Sequence, residues 1–247
     1  MRILLVNPNT TASMTEKAAI AARAVAATGT DIIAATSRMG PVSIEGHYDG
    51  ALAIPGLLME LKERQAVGYD AAVVACFDDT GLDAARAFAD VPVLGLCESA
   101  VATAGFLAQR FTVVTTLERS RVLIDNLVRR YGMGGRAKVR ACDIPVLELE
   151  NEGSGAIGKL RAEIEKALSE DGAEAIVLGC AGMTDLARDL QEIYGVPVVD
   201  GVAAAVKQAE ALVSLGLSTS KRGSYASPLP KAFTGAMSRF APMRMPS

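Results

Sequence analysis

The sequence predicts an α/β protein built from two pseudo-symmetric, doubly wound lobes with parallel sheets and a cleft between them. Three observations predict it. Short, continuously apolar runs alternate with helical patterns, which is how parallel strands covered on both faces read. One segment occurs twice: residues 70–82 read DAAVVACFDDTGL and residues 174–186 read EAIVLGCAGMTDL. At one constant offset Cys180 overlays Cys76, Thr184 overlays Thr80 and Leu186 overlays Leu82. The order of elements around the two copies is also the same.

The first half opens with a strand at Ile3–Val6 that ends at Asn7-Pro8-Asn9-Thr10. Thr11 or Ser13 is placed to cap the Ala-rich helix over 15–27. Asp31–Thr36 reads as a second strand, followed by the Gly/Pro loop 38–50 and a helix over 52–66. Ala71–Ala75 reads as a buried strand ending at Cys76, residues 81–89 as a helix, and Val91–Gly95 as a fourth strand. In the second half Phe111–Val114 matches Ile3–Val6, with Thr115-Thr116 where Asn7-Pro8 stood. Helix 119–131, strand 138–142, helix 156–169 and strand 175–179 follow, the last ending at Cys180. Val196-Pro197-Val198 echoes Val91-Pro92-Val93. These boundaries divide the chain into a first lobe over 1–100 and a second over 101–206. Helix 201–215 and the Ser-, Pro- and Gly-rich tail fall outside the repeat, with residues 207–247 expected to complete the first lobe.

Composition narrows the function. Half of the 247 residues are hydrophobic, enough for a sizeable core. A net charge of −3 argues against nucleic acid or an anionic membrane as partner. No apolar run approaches the ~20 residues of a membrane span. The apolar run in MRILLVNPNT is too short for a signal peptide, so a cytoplasmic location with reduced cysteines is expected. With one histidine and no CxxC pair, no metal site is expected. No GxGxxG or Walker pattern is present. The basic residues Arg129, Arg130, Arg136, Lys138 and Arg140 read as a solvated stretch, and His47 as a surface residue.

Chemistry is expected at the strand ends, where open parallel sheets bind ligands. Cys76 and Cys180 both lie there, and Asn7, Asn9, Thr10, Thr115 and Thr116 share that edge. Free cysteine is usually a small core filler, the reading taken for Cys97 and Cys142. The equivalence of Cys76 and Cys180 in the repeat sets them apart as proton donor and acceptor on opposite faces of one carbon. A helix start after each cysteine is expected to lower its thiol pKa and to offer N–H groups to a developing oxyanion. Asp78 and Asp79 are placed either to cap a helix or to meet substrate N–H groups; the second copy has Gly182-Met183 instead. Phe77, Thr80 and Ala181 flank the cysteines as further substrate-binding candidates. The loop with Pro41, Val42 and Ser43 has the composition of a site-covering element.

The segments VNPNTTASMT (6–15), GPVSIEG (40–46), ACFDDTGLDAAR (75–86), RFTVVTTLERSR (110–121), EAIVLGCAGM (174–183) and PVVDGVAAAV (197–206) closely resemble hydantoin racemases of the aspartate/glutamate racemase superfamily. The resemblance implies a cofactor-independent two-base racemase with Cys76 and Cys180 as its catalytic pair. It implies a 5-monosubstituted hydantoin as the small-molecule substrate, and a homo-oligomer is expected. Allantoin racemases share these motifs and are the alternative. Amino-acid racemases of the superfamily commonly have Asn-Thr after the first cysteine and a His near the second. Phe77-Asp78 and Ala181-Gly182 stand there instead, which fits a neutral ring better than a free amino acid. A bilobed binding protein without chemistry is the rival from another class.

Overall fold

The structure is a computed structural model that describes residues 1–242; the last part of the expected tail, 243–247, lies outside the described residues. Strands β1 (Arg2–Asn7), β2 (Asp31–Thr36), β3 (Ala71–Val74) and β4 (Val93–Gly95) form a parallel sheet in the order β2-β1-β3-β4. Strands β5 (Phe111–Thr115), β6 (Ala137–Ala141), β7 (Ala175–Gly179) and β8 (Val198–Asp200) form a second one in the order β6-β5-β7-β8. The registers correspond, Leu5 facing Val73 as Val113 faces Val177. β3 and β7 are buried at every position, the reason they read as unbroken apolar runs.

Eight α-helices connect the strands among the described residues: α1 (Ala12–Val25), α2 (His47–Arg64), α3 (Leu82–Phe88) and α4 (Leu96–Leu107), then α5 (Glu118–Arg130), α6 (Ala156–Glu170), α7 (Ala187–Tyr194) and α8 (Gly201–Ser214). Two expectations need correction. The helix expected at 201–215 is not outside the repeat: α8 follows β8 as α4 follows β4. That equivalence is hidden in the sequence because α4 shows no clear helical pattern. In LCESAVATAGFL the buried Cys97, Ala100, Val101 and Ala104 recur at helical spacing, but Ala102, Gly105, Phe106 and Leu107 occupy the outer side, so no polar stripe reveals the 3.6-residue period. Helix α2 begins at His47, five residues before the expected start.

The closing helices are exchanged. α4 leaves the first sheet and packs on β7 and α5, whereas α8 packs on β3, β4 and α1; the two helices also lie against each other. Each sheet thus has one apolar face covered by a helix from the other half. A core shared by both lobes follows, running from Ile3, Leu5 and Val73 through Val101 and Ala205 to Phe111, Val113 and Val177, while each lobe keeps a second apolar cluster on its other side. Truncating a fully buried member such as Ile124 to Ala is expected to cost about 2–5 kcal/mol. The tail runs back along the first sheet's helices: Thr219 Oγ1 donates to Val91 O at 2.8 Å and Tyr225 OH to Asp83 Oδ1 at 2.9 Å. The basic stretch is engaged rather than merely solvated. Arg140 and Lys138 pair with Asp171, Arg129 with Asp125, Arg130 with Asp83, and Arg136 donates to the carbonyls of Gly105 and Ala108.

Candidate active site

Both cysteines sit just past equivalent central strands, Cys76 two residues after β3 and Cys180 directly after β7. They wall a single cavity of about 50 Å³ between the sheets. Each sulfur receives a hydrogen bond from the N–H two residues on: Gly182 N donates to Cys180 Sγ at 3.4 Å, and Asp78 N to Cys76 Sγ. Thr80 Oγ1 lies 3.5 Å from Cys76 Sγ.

The expected lowering of the thiol pKa does not hold for Cys76. Burial, and then the Asp78 carboxyl, push this thiol well above its ordinary range, and the hydrogen bonds from Thr80 and Asp78 offset this only in part. Helix α3 starts only at Leu82, too far along the chain for its dipole to act on Cys76. Cys180 is the N-cap of a 3-10 helix, Ala181–Leu186. Cys97 is fully buried within α4, as expected of a core filler. Cys142 lies one residue past β6, buried, and its Sγ–H donates to Thr115 O at 3.1 Å; burial raises it to about 12.

The strand-end residues play unequal parts. Asn7 and Asn9 line the cavity but bond mainly to one another and to their own loop. Asn7 Nδ2 donates to Asn9 Oδ1 (2.8 Å) and Thr15 Oγ1 (3.1 Å), while Asn9 Oδ1 accepts from Thr11 N at 2.9 Å. Thr115, Thr116, Phe77, Asp78, Ala181 and Gly182 also stand on the walls. Thr10, Pro41, Val42, Ser43, Asp79, Thr80 and Met183 do not. Asp79 and Thr80 line a neighbouring groove of about 650 Å³, and Met183 is buried in the core behind β7. Asp79 does act as a cap, but of a different helix from the one that follows it. Its Oδ1 and Oδ2 accept from Cys97 N (3.0 Å) and Glu98 N (2.9 Å) at the start of α4, and from Tyr131 OH (2.7 Å). Burial pushes its carboxyl up and these donors pull it back.

The covering loop is fastened from below. Thr10 N donates to Pro41 O at 3.0 Å, and Thr11 Oγ1, which does not cap α1, donates to Val42 O at 2.6 Å. Ile44 of this loop reaches the cavity, and Glu45 Oε1 accepts from Val146 N of the second half at 3.0 Å. A second link crosses the cleft: Lys17 Nζ donates to Gly182 O at 3.2 Å and pairs with Asp185 at 3.5 Å. Sequence reasoning missed Met14, Ile44, Ser120 and Val146 on the walls and Lys17 beside them. Of these only Ile44 had a signal, its place in the Gly/Pro loop. Among the described residues no group of three or more His, Cys, Asp or Glu is arranged to hold a metal ion, and no helix is long and apolar enough to cross a membrane.

Comparison with known proteins agrees with this architecture. A hydantoin racemase of Rhizobium meliloti is 51% identical over 236 residues, spanning 95% of this chain and 98% of the relative. The structure of an allantoin racemase from Klebsiella pneumoniae superposes with a TM-score of 0.95 at 47% identity, covering 98% of this chain and 100% of that one. An aspartate racemase from Picrophilus torridus, 11% identical with a TM-score of 0.61 over 92% of this chain and 99% of its own, shares the fold. The family model for Asp/Glu/Hydantoin racemase matches residues 3–209, and the chain belongs to that family.

Proposed function

We propose that the protein racemises 5-monosubstituted hydantoins without a cofactor, with Cys76 and Cys180 as the proton-transferring pair. One cysteine, as thiolate, removes the hydrogen from C5. The electron pair delocalises onto the adjacent carbonyl as an enolate, and the other cysteine, as thiol, protonates the opposite face. The observation that carries this reading is the placement of the two sulfurs on the wall of one cavity, each at the end of an equivalent strand and each held by an N–H two residues on. The pair shares one proton and titrates as a unit. The full-length similarity to named hydantoin racemases supports the substrate class.

Allantoin is the second reading, favoured by the close likeness to the allantoin racemase structure. Optical rotation followed over a panel of alkyl-, aryl- and ureido-substituted hydantoins separates the two, and no loss of rotation with any of them overturns both. In the same proposal the lobes divide near residue 100, the location is cytoplasmic and the protein works as a homo-oligomer. Light scattering tests the association.

A further inference from the structure

Several polar side chains at the cavity are already bonded within the protein. Asn7 and Asn9 bond to each other and their loop, and Thr115 Oγ1 donates to Gly179 O at 3.2 Å. Asp78 differs. Its Oδ2 is shut off from solvent and has no hydrogen-bond partner, which no other side-chain oxygen among the described cavity-lining residues shows. A buried acceptor without a donor is costly unless a ligand supplies one. The Asp78 N–H is committed to the Cys76 sulfur, so the carboxyl is fixed beside one of the two groups proposed to act on the reacting carbon. The equivalent residue beside Cys180 is Gly182, which has no side chain to offer. The cavity lining contains neither Lys nor Arg.

We propose that Asp78 selects a cyclic ureide over a free amino acid, its Oδ2 accepting the ring N–H that is bonded to the reacting carbon. This rests on the hydantoin reading above and names the atom that enforces it. A cyclic ureide has an N–H on one side of that carbon and a carbonyl on the other. Both are neutral, and the N–H matches the orphaned oxygen. An amino acid would bring a carboxylate into a lining that offers a carboxyl and no cation, so discrimination comes from repulsion as well as attraction. Burial and the neighbouring Asp79 hold the Asp78 carboxyl at about 7, so its acceptor strength grows as pH rises through neutrality.

The test replaces the ring N–H by oxygen without changing the ring's shape. Racemisation of a 5-substituted hydantoin and of the oxazolidine-2,4-dione with the same substituent is measured with wild type, Asp78→Ala and Asp78→Asn. Wild type is expected to have a KM roughly 10- to 100-fold lower for the hydantoin, and Asp78→Ala to lose most of that preference. Asp78→Asn, which keeps an acceptor oxygen, should retain part of it. The hydantoin KM of wild type should fall as pH rises through about 7, whereas that of Asp78→Ala should not. If Asp78→Ala does not fold, the wild-type comparison alone decides, and equal KM values for the two rings overturn the inference. An Asp78→Ala variant that keeps the full preference overturns it as well. A wild type that neither binds nor racemises the parent hydantoin overturns the underlying function too, and is thereby distinguished.

Discussion

The loops that hold Cys76 and Cys180 come from one repeated segment, yet they are anchored in opposite ways. After β8 the N-terminus of α8 is capped locally: Asp200 is its own N-cap residue and accepts from Val202 N at 3.1 Å and Ala203 N at 2.8 Å. The corresponding N-cap of α4 is Gly95, which has no side chain to donate to the task. There the cap is Asp79, reaching over from the Cys76 loop, and a Cβ on Gly95 would collide with its carboxyl. Asp79 holds a left-handed backbone conformation (φ 47°), uncommon for a residue other than Gly, in doing so. The Cys76 loop is therefore tied to the helix that crosses between the lobes and, through Tyr131, to α5. The Cys180 loop instead meets the first lobe through Lys17. Sequence symmetry places two thiols; asymmetric anchoring makes their surroundings different.

The largest expected effect tests the symmetric side of that comparison. Cys76→Ala and Cys180→Ala should each lower racemisation by about 10³-fold or more, because one face of the carbon loses its proton-transfer group. Each should still exchange deuterium from heavy water into one enantiomer with retention, and the two should choose opposite enantiomers. Exchange of the same enantiomer by both variants breaks the two-base assignment.

The next tests the asymmetric side. Asp79→Ala leaves three donors unpaired and should destabilise the fold by about 2–4 kcal/mol. Asp200→Ala loses the cap at the start of its own helix, about 1 kcal/mol. Denaturant unfolding measures both, and equal losses would show that the remote cap adds nothing.

A smaller effect depends on pH. The unfolded chain releases the Asp78 proton near 3.8, while the folded chain holds it to about 7. Between those values the folded state binds more protons, so stability falls as pH rises, and the loss is complete above about 7. Asp78→Asn should therefore raise Tm above wild type at pH 8 and change it little at pH 4. A difference independent of pH would remove charge burial as its cause. Least of all should Gly182→Ala matter: its Cβ would lie 3.0 Å from Leu149 Cδ1, the end of a flexible side chain, and a Tm within a few degrees of wild type is expected.

Much of this was legible in the chain. Continuous runs such as AAVV and AIVLG are buried strands because a parallel sheet covered on both faces has no solvent side to demand alternation. The repeat then fixed which strands correspond and put Cys76 and Cys180 at matching ends. What the sequence could not reveal depends on neighbours distant along the chain. Helix α4 buries one face between the lobes, but its outer face carries Ala102, Gly105 and the exposed Phe106, so no polar stripe marks its period. Asp79 looks like a cap for the helix after it, and only the approach of α4 to its loop, across the gap left by Gly95, gives it a different helix. The raised Cys76 thiol and the orphaned Asp78 oxygen likewise belong to the cavity between the sheets, since desolvation is set by everything that surrounds a group and not by the residues beside it in sequence.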